Sequence, residues 1–194
     1  MGSEIEVELK IRISDRSDIE KRLAKQGAQE IKSQTQFDLY LDRSFSSFSK
    51  TDEALRIRKR LPIETGTENI PITGPVEITY KGPKLDKFSK TRLEYTIPFE
   101  DAQSIIQLFE HLGFTSRLTV IKKRVYYKIG DNVISIDDVK NLGLFVEIEQ
   151  VVTSKSEITS AREKLFDMSR SLGLDPSTSI ISSYLELLLS QESA

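Results

Sequence analysis

Glu4-Ile5-Glu6-Val7-Glu8-Leu9-Lys10-Ile11-Arg12-Ile13 is the stretch on which the fold turns. Ionised and aliphatic side chains alternate along it without a break. Successive side chains of a strand leave on opposite faces, so one face here is fully charged and the other fully apolar. A single strand of this kind fits an antiparallel sheet whose apolar face packs on helices and whose charged face is solvated. The rest of the chain decides whether that reading is enough.

The pattern recurs. Gln36, Asp38, Tyr40 and Asp42 alternate with Phe37, Leu39 and Leu41, giving a second strand, and Arg56 and Arg58 lie opposite Leu55 and Ile57 in a third, Leu55 to Arg60. A fourth, Val76 to Lys81, sets Glu77, Thr79 and Lys81 against Val76, Ile78 and Tyr80 and is expected to end at Gly82-Pro83. The fifth sets Arg92, Glu94 and Thr96 against Leu93, Tyr95 and Ile97, and the sixth, Thr119 to Lys128, places Lys122 and Arg124 together. Val133 to Asp137 and Leu144 to Val151 read as a hairpin whose polar faces carry Ser135, Asp137, Glu147 and Glu149. Helices are expected after the first strand (capping box Ser17 to Glu20, stop near Gly27), over Asp101 to Leu112, from Ser156 to Leu172, and over Ser177 to Leu189. Arg43 to Glu53 and the proline-rich Pro62 to Pro75 read as loops.

Such strands, closed on themselves, would line a pore with both signs of charge; left open, they fit a sheet whose charged face is solvated and laced by cross-strand ion pairs. Carboxylates gather in the first and last strands, whereas the middle strands are mainly basic. Like charges about 4 Å apart repel by roughly 4 kcal/mol at an effective dielectric near 20, so grouped glutamates require cations or protons. Oxygen-only ligands suit Mg²⁺ or Mn²⁺, and arginine forks with lysine point charges suit phosphate.

Composition removes several classes. The chain has no cysteine, which excludes disulfides and thiolate sites, and its net charge of −2 gives no bulk attraction to nucleic acid. No apolar run approaches the roughly 20 residues that span a bilayer, and the charged N-terminal stretch is unlike a signal peptide, so a cytoplasmic protein that binds neither nucleic acid nor membrane is expected. The single histidine, His111, falls in the last turn of the second helix, which argues against a Ser-His-Asp triad. The leucines at 185, 187, 188 and 189 read as core or a partner contact.

The ordered series Glu6-Val7-Glu8-Leu9-Lys10, Tyr40-Leu41-Asp42, Leu55-Arg56-Ile57-Arg58, Thr79-Tyr80-Lys81-Gly82-Pro83, Arg92-Leu93-Glu94, Lys122-Lys123-Arg124, Ile136-Asp137-Asp138-Val139 and Phe145-Val146-Glu147-Ile148-Glu149 resembles the CYTH superfamily. These are triphosphate tunnel enzymes, among them class IV adenylyl cyclases and thiamine triphosphatases. The resemblance spans nearly the whole chain and implies an eight-stranded antiparallel β-barrel with helices packed outside, an α+β fold in one domain over residues 1–194. It implies that Glu6, Glu8, Glu94, Asp137, Glu147 and Glu149 hold Mg²⁺ or Mn²⁺. It further implies that Lys10, Arg56, Arg58, Lys81, Arg92, Lys122 and Arg124 bind the triphosphate, with Glu6, Glu8, Lys10, Arg58, Lys81 and Arg124 central to catalysis. Glu4, Arg12 and Glu77 share the face as supporting ion pairs.

The expected activity is metal-dependent triphosphate hydrolysis on a small-molecule substrate, by a monomer or homodimer. Inorganic triphosphate comes first, because no aromatic pocket for a base or thiazole is legible in the chain. Adenylyl cyclisation ranks second; a His-Phe pair found ahead of Glu-x-Glu-x-Lys in some cyclases has no counterpart among Met1 to Ile5.

Overall fold

A computed structural model describes residues 4–43, 45–63, 72–86, 89–130 and 132–192. Its strands are β1 (Glu4–Arg12), β2 (Gln29–Arg43), β3 (Ala54–Leu61), β4 (Val76–Lys84), β5 (Arg92–Phe99), β6 (Phe114–Ile129), β7 (Asn132–Val139) and β8 (Gly143–Val152). Its helices are α1 (Arg16–Lys25), α2 (Ala102–His111), α3 (Ile158–Ser171) and α4 (Tyr184–Glu192). The strands close into an antiparallel barrel in the order β1-β5-β4-β3-β2-β6-β7-β8.

Leu9 and Lys10 decide between a wet sheet face and a lumen. They are neighbours, point to opposite faces, and are both 0% exposed. A solvated face would leave the lysine in water. The apolar sides instead face outward onto helices. Ile19 and Leu23 of α1 and Ala161 and Leu165 of α3 pack on Val7, Leu9, Ile134 and Ile148. Ala102 and Ile105 of α2 cover Leu55, Ile57, Val76 and Ile78 on the far side. Tyr184 of α4 joins Tyr40, Val120, Val139, Leu142 and Phe145 across one end of the barrel.

Several boundaries differ from expectation. The cap of α1 is Asp15, which accepts from the Ser17 and Asp18 amides, while Glu20 is taken by Arg16 and by the Tyr127 hydroxyl, so no Ser17 capping box forms. Strands β2 and β6 are 15 and 16 residues long and pair with each other almost throughout. Their polar outer stretches hide this, because the ladder there is held by backbone bonds and not by an apolar face. Gly82-Pro83 does not end β4; the strand slips register between Lys81 and Lys84 and continues. The last helix starts at Tyr184, preceded by a 3₁₀ turn at Pro176–Thr178 and by an extended stretch whose Ile180 amide donates to the Lys10 carbonyl at 2.7 Å. Most of the loop expected over Pro62 to Pro75, residues 64–71, lies outside the described residues.

Leu165 is 0% exposed under α3 and remote from the charged lumen. Leu165→Ala is expected to cost about 3 kcal/mol of stability through lost burial and the cavity left behind. Urea unfolding measures it; an unchanged midpoint would contradict the packing of α3 on the barrel.

Candidate functional site

The circular strand order sorts the lumen by charge. Strands β5, β1 and β8 are adjacent and supply Glu94, Glu6, Glu8, Glu147 and Glu149. Across the lumen, on either side of β2, the charged inward positions of β3 and β6 are all basic: Arg56, Arg58 and Arg60, then Lys122 and Arg124. One cavity of about 170 Å³ opens near α4 and the 48–54 segment, and another of about 400 Å³ opens near Arg60, Glu77 and Tyr126. Both are lined by Glu6, Arg56, Arg58, Glu94, Arg124 and Glu149, which therefore form the waist between two mouths.

On the basic wall, Arg58 makes a two-pronged bond to Asp38, Nε to Oδ1 at 2.6 Å and Nη2 to Oδ2 at 2.7 Å. Burial alone would raise the Asp38 carboxyl, but Arg58 and then Arg56 overcome it and hold it well below the ordinary carboxylate range. Arg56 donates from Nη2 to Thr79 Oγ1 at 3.1 Å, and its buried Nε has no hydrogen-bond partner. Arg124 grips both oxygens of Asp137 and reaches Glu147. Lys122 Nζ lies 3.6 Å from Asp137 and 5.0 Å above the Tyr184 ring, and burial brings its pKa down to about 8.

The acid wall is under like-charge pressure. Glu8 and Glu149 are cross-strand partners. Burial first, and Glu94 second, hold the Glu6 carboxyl well above its usual range, and it hydrogen-bonds to Glu94. Glu94 itself sits at about 2 despite burial, because Lys81 contacts it, so the proton of the pair resides on Glu6. Lys81 also stands 3.8 Å from Glu6. Burial raises Glu149, with Glu147 and Glu8 adding to it, whereas Arg124 overcomes burial at Glu147 and holds that group low. Among the described residues no three carboxylates converge at metal-ligand spacing. Lysine ammoniums stand among them. The donor set is nonetheless all oxygen, crowded and partly protonated, which fits a hard divalent cation.

Two of the expected site residues stand back from the cavity. Lys10 Nζ is buried without a hydrogen bond, 3.8 Å from Glu8, 3.9 Å from Glu147 and 4.6 Å from the Tyr184 ring centre. Burial, with Lys90 nearby, lowers its pKa to about 8. Asp137 is 0% exposed and held by Arg124 and by the Tyr184 hydroxyl at 2.9 Å. Arg92 lines the cavity but ties the barrel to the preceding loop, donating to the Asp52 and Gly82 carbonyls and to the Asp52 carboxylate. Lys123 is exposed, so Lys122-Lys123-Arg124 forms no continuous basic patch. Glu77 pairs with Arg60 as expected. Among the described residues Arg12 has no ion-pair partner; it donates to the Leu142 carbonyl and lies over the Phe145 ring at 4.5 Å. The Glu4 side chain lies outside the described residues.

Four residues that matter escaped sequence reasoning. Lys90 donates to both oxygens of Glu8. Its signal was present, since it continues the inward parity of Arg92 and Glu94 one step before the strand. Asp38 lay on the recognised polar face of β2 and went uncounted. Tyr184 lies in Ser183-Tyr184-Leu185-Glu186-Leu187, a run that resembles cyclase-like members of the family but by itself assigns the tyrosine no role, and Asp52 reaches the site only through tertiary structure.

Three comparisons extend this picture. The CYTH domain profile matches residues 4–184. A Methanocaldococcus jannaschii protein named "Putative adenylate cyclase MJ0240" is 38% identical over 183 residues, 94% of this chain and 98% of that one. The PH1819 protein of Pyrococcus horikoshii superposes with a TM-score of 0.84 at 38% identity, over 96% of this chain and 99% of that one. A Hippeastrum protein, HpAC1, described as an adenylyl cyclase candidate with a dominant triphosphatase activity, shares the fold at a TM-score of 0.62 and 14% identity, over 98% of this chain and 96% of that one.

The Asp38–Arg58 pair makes a pH prediction. A depressed carboxyl gives stability that is complete above its unfolded pKa and is lost as pH falls below it. Asp38→Asn is therefore expected to lower stability by about 3 kcal/mol at pH 7, by leaving a buried guanidinium uncompensated. It should also flatten the acid limb of the stability curve below pH about 4. Urea unfolding across pH reads both effects. For the same reason Arg58→Ala is expected to destabilise as well as to inactivate.

Proposed function

From the membership of this chain in the CYTH family, we propose that the tunnel is a metal-dependent triphosphate hydrolase. The observation that carries the reading is the division of the lumen into a carboxylate wall and an opposed arginine–lysine wall. A ligand that satisfies both must carry anionic and cationic charge together, as a metal polyphosphate does. Mg²⁺ or Mn²⁺, held by Glu6, Glu8, Glu94 and Glu147, would neutralise phosphate charge and polarise its oxygens. The chain's own residues supply the rest. Arg56 offers its partnerless Nε to a phosphate oxygen, and Lys81 and Lys122 add point charges.

Glu149 carries a raised pKa that suits a base, and takes the proton from the attacking water. The water oxygen bonds to the terminal phosphorus as the bridging P–O bond breaks, and that bond's electron pair leaves with the diphosphate. Arg58 and Arg124 face the developing charge from fixed positions, which lowers the barrier without reorganisation. Lys10 and Asp137, behind the wall with Tyr184, position these groups and do not reach substrate. Inorganic triphosphate is the minimal substrate.

One observation favours the second reading, adenylyl cyclisation. Leu41, Phe48, Leu185 and Leu189 line the α4 mouth and give an apolar surface suited to a nucleoside. Phosphorus NMR with Mg²⁺ or Mn²⁺ separates the readings. Orthophosphate and diphosphate from triphosphate are expected; a cyclic nucleotide and diphosphate from ATP would replace hydrolysis with cyclisation. Arg56→Gln is expected to lower kcat by about 10²–10³. The thermal midpoint should fall only slightly, since the side chain gives up its hydrogen bond to Thr79 and a 3.9 Å ion pair with Asp38, which keeps its two-pronged bond to Arg58.

A further inference from the structure

Lys90 enters the lumen from the connection between β4 and β5, not from a strand. Its ammonium donates to Glu8 Oε1 at 3.1 Å and to Oε2 at 2.9 Å, thereby spanning both carboxylate oxygens. The two side chains are 11% and 5% exposed, and both line the cavity. A cation chelated by Glu8 would stand where this ammonium stands.

The backbone that carries Lys90 is fixed from several directions. Its amide donates to the Glu8 carbonyl at 3.0 Å, adding one rung to the β1–β5 ladder beyond Glu6–Arg92. Leu85 donates to the Thr91 carbonyl at 2.8 Å. Ser89 and Thr91 are 0% exposed and share a hydroxyl bond of 2.7 Å. The amide and hydroxyl of Ser89 both bond to Asp86, at 3.1 and 2.6 Å. Arg162 of α3 in turn holds both oxygens of Asp86, at 3.1 and 3.0 Å. A helix on the outside of the barrel thus clamps the turn that sends a lysine inside. The Lys90 side chain runs from this anchored backbone into the cavity that Glu8 also lines.

We propose that Lys90 is a tethered competitor for the metal site, occupying Glu8 until a divalent cation displaces its ammonium into the cavity. The inference rests on Glu8 being part of the metal site proposed above. Displacement leaves the lumen with the cation's two charges and an unpaired ammonium, a state that an incoming phosphate chain neutralises. Metal and polyanion therefore bind with positive coupling, and each strengthens the other by the same factor.

Mn²⁺ titration followed by the electron paramagnetic resonance signal of the free ion, without turnover, tests this. Removing a charge-assisted competitor is expected to tighten Mn²⁺ binding by roughly ten- to a hundredfold in Lys90→Met. Imidotriphosphate, a non-hydrolysable probe, should tighten Mn²⁺ binding in the wild type by a larger factor than in Lys90→Met. Asp86→Asn, which loosens the clamp outside the lumen, should give a smaller gain in the same direction, and decides the question alone if Lys90→Met does not fold. Equal or weaker Mn²⁺ binding in these variants would overturn the proposal while leaving hydrolysis intact. If Glu8→Gln binds Mn²⁺ as the wild type does, Glu8 is not a metal ligand, and both the metal assignment and the competition fall.

Discussion

Buried charge is the constraint on which this structure depends. Removing an ion from water costs several kcal/mol even after relaxation, and excellent pairing geometry is needed to offset that. The lumen has more than ten ionised side chains that water barely reaches, and each is answered locally. Asp38 answers Arg58 and Arg56, Asp137 and Glu147 answer Arg124, Lys90 answers Glu8, and Lys81 answers Glu94. Glu6 and Glu94 share the single ammonium of Lys81, and a proton on Glu6 relieves the repulsion that remains. Lys10 is the costly exception, a buried ammonium at ion-pair distance from two glutamates yet without a hydrogen bond.

An interior of this kind cannot drive folding through the hydrophobic effect, so the apolar core lies outside the barrel. Two separate cores result, one beneath α1 and α3 and one beneath α2, with a third under α4 at one end. Helix packing on the apolar faces lies outside the ring of charges, and Tyr184 joins the two through its hydrogen bond to Asp137. The pairs inside resemble a resting set of counter-ions more than a scaffold.

Alternation made the barrel legible. In β1 it is so strict that the charged and apolar faces can be assigned residue by residue, and Leu9 and Lys10 show both faces buried. It failed where its physical cause was absent. Much of the outer stretches of β2 and β6 is exposed, so no continuous apolar face marks them. Gly82-Pro83 carries the composition of a stop and instead forms an irregularity within β4, tolerated because β4 regains register with β5 at Lys84. The inward charges were legible as a set, but their pairings were not. Which carboxylate answers which cation depends on strand order around a closed ring, and that order places β5 beside β1 and β2 beside β6.

The same ring order explains how acids and bases are kept apart while most charges still find a local partner. Carboxylates centred on β1 face cations centred on β2, half a circumference away, which is the greatest separation the barrel permits. Asp38 lies in the middle of the basic wall, and Lys81 and Lys90 reach into the acid wall. Each wall thus contains its own neutraliser, of opposite sign and smaller number. The metal polyphosphate proposed above would offer the two walls the same compensation in one ligand, cation to the acids and anion to the bases. Binding would then exchange most of these pairs for others, with the ammonium displaced from Glu8 answered by the phosphate chain.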